Sequence, residues 1–216
     1  NQAATDENVT VMATMSDVDG DQTTMSITWY LDGVIQLEYN NQATLPSSAT
    51  NKGESWTAVV QANDGETTSS QSDTLSVLII NSDPLLSVDL ENATSQDDLV
   101  LQTSISDIDD DVTEVSTITW FRNGFREGSL DGAIIVPSSY LGPGQEWSVE
   151  VNATDGTSYV LSTASIIVEN TPPSARISVL TDDLYAGERV TLSGLDSTDP
   201  DNSIIRYQWI WMNGAS

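Results

Sequence analysis

The sequence predicts an all-β chain built of repeated β-sandwiches, and three observations carry that expectation. Apolar and polar residues alternate at a period of two, one pattern is written nearly twice and then begun again, and Gly, Asp and Pro punctuate the runs. Four landmarks keep almost one offset. Ser16-Asp17-Val18-Asp19-Gly20-Asp21 returns 90 residues later as Ser106-Asp107-Ile108-Asp109-Asp110-Asp111. Ile27–Gly33, Gly53–Trp56 and Ala62–Gly65 return 91 residues later as Ile118–Gly124, Gly144–Trp147 and Ala153–Gly156. A third copy begins after Pro172-Pro173, with Asp196, Asp199 and Asp201, and its Trp209 lies about 89 residues beyond Trp120.

Along each copy the elements follow in order. Val9, Val11, Ala13 and Met15 alternate with polar residues, as do Leu99, Leu101, Thr103 and Ile105, which predicts a strand with one buried and one wet face. Trp29, Trp120 and Trp209 recur in mid-strand and are expected core residues, whereas Tyr30 and Phe121 fall on the opposite face. Trp56, Ala58, Val60 and Ala62 repeat in phase as Trp147, Val149, Val151 and Ala153. Helical spacing is nowhere sustained, and the abundant Ser, Thr and Asn disfavour helices. Asn81-Ser82-Asp83-Pro84 and Glu169-Asn170-Thr171-Pro172-Pro173 read as short stiff linkers, because proline stops a strand and forces the residue before it to be extended. The expected repeats are therefore residues 1–82, 83–171 and 172–216. Leu85–Leu90 reads as the opening strand of the second repeat. No such segment precedes Val9, and the third copy stops about halfway, so a window on a longer protein is expected.

Charge and missing residue types exclude whole classes of function. Six Lys and Arg against 33 Asp and Glu leave a net charge of −27. Nucleic-acid binding needs cations to displace counterions from phosphates, and an anionic membrane repels such a chain. With no His and no Cys, the Ser-His-Asp and Cys-His nucleophiles, the usual zinc sites and any disulfide framework are all ruled out. Lys52 is the only lysine. The longest apolar stretch, Leu75–Ile80, is far short of the ~20 residues that span a bilayer. A glycosidase carboxylate pair needs a cleft that short-looped sandwiches of about 90 residues offer poorly, so no catalytic activity is expected.

Asp17-Val18-Asp19-Gly20-Asp21, a strand ending in Trp29-Tyr30-Leu31-Asp32-Gly33, and the late Asn63-Asp64-Gly65 together resemble the tandem immunoglobulin-like repeats of prokaryotic extracellular surface proteins, close to their PKD and cadherin-like groups. The resemblance covers the whole chain. It implies immunoglobulin-like β-sandwiches joined by short Pro-containing linkers, a place outside the cell or on its surface, and a structural or adhesive role in a stalk, filament or surface layer. Neighbouring repeats of the same chain are the implied partners, with self-assembly or a cell-surface partner as a further expectation. A non-catalytic accessory or carbohydrate-binding region of a secreted hydrolase is the alternative, separable by the flanking sequence.

The acidic loops are the one constellation with chemistry. Ten of the 33 acids fall within residues 17–21, 107–111 and 196–201. Carboxylates at alternate positions repel one another unless a cation sits among them, and hard oxygens from one turn suit Ca²⁺. The spacing is not that of an EF-hand, since Gly20 is misplaced and no Glu follows at the twelfth position. In a sandwich of this type the loop between the second and third strands shares a pole with the loop between the last two. Asp17, Asp19 and Asp21 are thus expected near Asp64, and Asp107, Asp109 and Asp111 near Asp155, with Asn81 and Asp83 of the linker at the same pole. Asp196, Asp199 and Asp201 form the third set. Calcium at these poles is expected to stiffen the joints, a position beside the preceding repeat that the cadherin-like resemblance also implies. Plain solvated turns are the competing reading. Trp211, without a counterpart, is a candidate for sugar stacking or an interface. Asn8, Asn92 and Asn152 head glycosylation sequons, and Asn152 is expected to face outward between inward Val151 and Ala153.

Overall fold

Seven strands build the first sandwich: β1 (Gln2–Ala4), β2 (Val9–Thr10), β3 (Thr24–Leu31), β4 (Val34–Ile35), β5 (Thr44–Leu45), β6 (Ser55–Asn63) and β7 (Asp73–Ile80). One sheet has the order β1-β7-β6-β3-β4, and β2 pairs with β5 in the other. Strand β1 runs parallel to β7, while β3–β6 and β6–β7 are antiparallel. A further seven strands follow: β8 (Leu85–Leu90), β9 (Leu99–Ser106), β10 (Glu114–Arg122), β11 (Phe125–Arg126), β12 (Ile135–Val136), β13 (Glu146–Thr154) and β14 (Tyr159–Ile167). Their sheets have the orders β11-β10-β13-β14 and β12-β9-β8. A last antiparallel pair joins β15 (Ser178–Val179) to β16 (Leu192–Ser193). This strand order is that of an immunoglobulin-like β-sandwich, in an all-β chain with no α-helix among the described residues.

The computed structural model describes residues 1–69, 72–181, 185, 187, 189–202 and 204–210. By its contacts the chain forms two compact units. One comprises Asn1–Leu85, Ile105–Glu114 and Ala153–Val160; the other comprises Leu86–Ser104, Val115–Asn152 and Leu161–Ser216.

Each unit holds its own hydrophobic core. The first gathers Ile27, Trp29, Leu45, Trp56, Ala58, Val77 and Ile79. The second gathers Leu99, Leu101, Trp120, Val136, Trp147, Val149 and Val151 among others, with Leu86 and Val88 of β8 against it. At the centre of each lies an edge-to-face tryptophan pair, Trp29 with Trp56 at 6.4 Å and Trp120 with Trp147 at 6.3 Å. Indole nitrogens buried there need acceptors. Trp29 donates to the Gln42 carbonyl and Trp120 to the Ala133 carbonyl, both at 2.9 Å. Asp32-Gly33 and Asn123-Gly124 have positive φ at both residues and close the β3–β4 and β10–β11 hairpins as two-residue turns, whose left-handed backbone matches strand twist.

Several expectations are corrected. The alternation of Val9–Met15 yields only the two-residue β2, and Ala13, on the face expected to be buried, is exposed. Its counterpart β9 lies between β12 and β8, whereas β2 pairs with β5 alone, so the longer ladder has nothing to hold it. Gln2–Ala4 forms a strand that the sequence pattern did not reveal. It pairs with β7, unlike β8, which lies beside β9. Trp209, expected in a core, is 54% exposed; the third segment's pairing among the described residues is the β15–β16 ladder and the Ser174–Thr198 bridge. Four 3₁₀ turns, Leu37–Tyr39, Ser47–Ala49, Gly128–Leu130 and Ser138–Tyr140, carry no signature in the alternation. Trp211 lies outside the described residues.

Candidate functional site

Asp107, Asp109 and Asp111 follow β9 in a turn folded around one carboxylate. Asp107 Oδ1 accepts the backbone N–H of Asp109 at 2.7 Å and that of Asp111 at 3.4 Å. Asp110 takes φ 58°, the left-handed position that Gly20 fills at φ 85° in the first copy. Aspartate tolerates that region because its short side chain can bond locally. The turn brings one oxygen from each of Asp107, Asp109 and Asp111 within 4.8 Å of the others, the one such group of three among the described residues.

The Asn81-Ser82 segment closes over this group. The Ser82 N–H donates to Asp109 Oδ2 at 2.8 Å, and Ser82 Oγ donates to Asp6 at 3.1 Å. The Asn81 side-chain amide donates to Asp155 Oδ2 at 2.8 Å and to the Ser82 carbonyl at 2.6 Å. Lys52 Nζ contacts Asp111 Oδ2 and donates to Asn81 Oδ1 at 2.9 Å. That bond to Asp111 holds the lysine pKa above its ordinary value, with the neighbouring Asp109 and Asp107 charges adding to it. Two oxygens remain without a donor: Asp107 Oδ2 and Asp109 Oδ1 are sealed from solvent and unpartnered.

Asp155, only 7% exposed, is a different kind of carboxylate. It accepts the N–H groups of Thr157 and Ser158, both at 2.6 Å, the Ser158 hydroxyl at 2.9 Å and the Asn81 amide. The Ser158 N–H is the largest cause holding its pKa far below the usual carboxylate range, against the opposing effect of burial. Saturated with donors, Asp155 braces the linker through Asn81.

The other expected ligands are placed less closely. Asp17 accepts the N–H groups of Asp19 and Asp21 at 2.8 and 3.3 Å, repeating the turn, but Asp19 and Asp21 are exposed. Asp64 is turned onto its own loop by Glu66 and Thr67, whose N–H groups hold its pKa down. Asp83 is exposed beside Ser82. In the third set Asp201 takes the Thr171 N–H at 2.5 Å and the Ser95 hydroxyl, which lowers its pKa. Asp199 accepts the Asp201 N–H at 2.9 Å, and Asp196 is exposed. Asn8 and Asn92 are exposed, while Asn152 is half-buried between fully buried Val151 and Ala153 and donates to Thr117.

Lys52, Ser82, Ser95 and Thr171 contact the acidic turns, a placement that sequence reasoning did not give. One signal was available: Asn81-Ser82 and Asn170-Thr171 stand at matching places before their prolines. In both, the Asn amide donates to the next residue's carbonyl, and that residue's N–H donates to an acidic-loop Asp.

No protein-family model and no curated protein matches the sequence. Among solved structures the chain is similar to a chimeric titin Z1Z2 functionalised with a KLER exogenous peptide from decorin, at 19% identity over 79% of this chain and 93% of that one, with a TM-score of 0.33. It is similar to the FN1–FN3 domains of chicken CNTN1 at 13% identity over 78% of this chain and 62% of that one, TM-score 0.29. Fibronectin(III)-like modules of Clostridium thermocellum CbhA match at 16% identity over 78% and 88%, TM-score 0.27. With identities of at most 19% and TM-scores of at most 0.33, none of these likenesses assigns a function, and the fold stands on the strand order described above.

Proposed function

We propose that the chain is a non-catalytic structural or adhesive segment of an extracellular repeat protein, and that Ca²⁺ bound by Asp107, Asp109 and Asp111 stiffens it where the Asn81–Pro84 linker meets the acidic loop. The observation that carries this reading is the pair of sealed, donor-free oxygens, Asp107 Oδ2 and Asp109 Oδ1, within a carboxylate group 4.8 Å across. A buried carboxylate oxygen without a partner is costly, and a hard divalent cation supplies what the protein donors do not. Lys52 offsets only one of the three negative charges. The same ion would draw on Asp109, which also receives the linker N–H, so binding and linker order would be coupled. The partners on this reading are neighbouring repeats and a cell-surface or self-assembled array.

Calorimetry and X-ray scattering with Ca²⁺ against a chelator test the proposal. At about a hundred times its dissociation constant, a bound ion adds about 2.7 kcal/mol, a rise of several degrees in melting temperature. The radius of gyration is expected to narrow in distribution and lengthen. Asp107→Asn with Asp109→Asn should abolish the response. Identical melting and scattering curves with and without Ca²⁺ remove the reading.

A further inference from the structure

The chain's only lysine stands on its acidic group, and the surrounding geometry keeps it there. Lys52 lies in the turn before β6, where Glu54 bonds both the N–H and the side-chain amide of Asn51 at 2.8 Å, and the Gly53 N–H donates to Ile79 at 2.9 Å. The turn is thereby anchored at both shoulders. From it the ammonium reaches Asp111 and Asn81, the same Asn81 that donates to Asp155. The corresponding position in the second repeat is Pro143, within Gly142-Pro143-Gly144, which carries no charge. Lys52 is therefore not part of the repeat pattern but an addition to one copy of it.

We propose that Lys52 is a tethered cation that competes with a divalent ion for Asp111, so that it holds the linker to the acidic loop when no metal is bound and weakens metal binding there. The inference rests on the calcium reading above. Asp111 Oδ2 cannot serve the ammonium and a divalent ion together, since like charges at contact distance repel strongly at a half-exposed site. Binding of Ca²⁺ must lift Lys52 away, and with it one of the two contacts that Asn81 makes beyond the linker. The lysine thus sets how much free Ca²⁺ the site requires, while the sealed oxygens of Asp107 and Asp109 supply the attraction.

Chains of these 216 residues carrying Lys52→Met and Lys52→Gln test this beside the unaltered chain, by titration calorimetry with Ca²⁺ and by melting in a chelator. The relevant heat is the part lost in the Asp107→Asn/Asp109→Asn double variant. Removing the ammonium is expected to tighten that binding about two- to fivefold, the scale of a partly exposed ion pair. In the chelator both variants are expected to melt below the unaltered chain, and the order should reverse or close in saturating Ca²⁺. Equal or weaker Ca²⁺ affinity in the variants overturns the competition and leaves the calcium reading standing. No Ca²⁺ heat in any chain, or heat that survives the double variant, overturns both.

Discussion

Ser82 and Asp109 are joined by a hydrogen bond of 2.8 Å from the linker backbone to a carboxylate, and Thr171 and Asp201 repeat that relationship at 2.5 Å. Charge-assisted bonds to backbone N–H groups are about twice as strong as neutral ones. Both carboxylates come from an acidic turn that lies about 30 residues further along the sequence than the N–H it accepts. The turns therefore hold the Ser82 and Thr171 backbone independently of any ion.

Asp155 is expected to make stability depend on acid pH. Its folded pKa lies below the ordinary carboxylate value of about 3.9, so its contribution is fully present above that value and is lost as pH falls through the folded one. Asp155→Ala should cost about 1–3 kcal/mol at pH 7, as expected for stranding buried donors. In urea titrations the gap between variant and parent should shrink steadily below about pH 4. A gap that stays constant to pH 2.5 contradicts the assignment.

The two kinds of tryptophan separate by burial. Trp120 is fully buried against Trp147 and bonded to Ala133, and Trp120→Ala should cost about 3–5 kcal/mol. Trp209 is 54% exposed, and Trp209→Ala should change stability by no more than about 0.5 kcal/mol. Equilibrium urea denaturation followed by circular dichroism measures both.

Gly124 tests the hairpin turns. Its φ is 79° and no atom lies within 4 Å of where a Cβ would sit, so an added side chain meets strain and not crowding. Gly124→Ala is expected to destabilise by about 1–2 kcal/mol, and Gly124→Asn by less, because asparagine visits the left-handed region more readily. Gly128→Ala is the control, equally open but outside that region, and should be neutral or slightly stabilising. Thermal melts of the three variants order them.

Trp29, Trp56, Trp120 and Trp147 were legible as core residues because burial at a period of two writes itself into the sequence, and the Asp-Gly and Asn-Gly turns were legible because few other residues accept their backbone. The candidate site was legible only as a set of carboxylates. Asp107, Asp109 and Asp111 come together, whereas Asp19 and Asp21 remain exposed, though the two turns have similar local sequence. The difference lies in what covers each turn, and no local pattern records it.

By itself, then, the sequence determined the all-β class, the repeat and the acidic turns, since alternation, offset and turn chemistry are local properties of neighbouring residues. Only the tertiary structure decided which acids meet, which oxygens are sealed and that Lys52 stands on Asp111. Those contacts join residues 27 and 59 positions apart, and such pairings are set by how strands and loops close on one another.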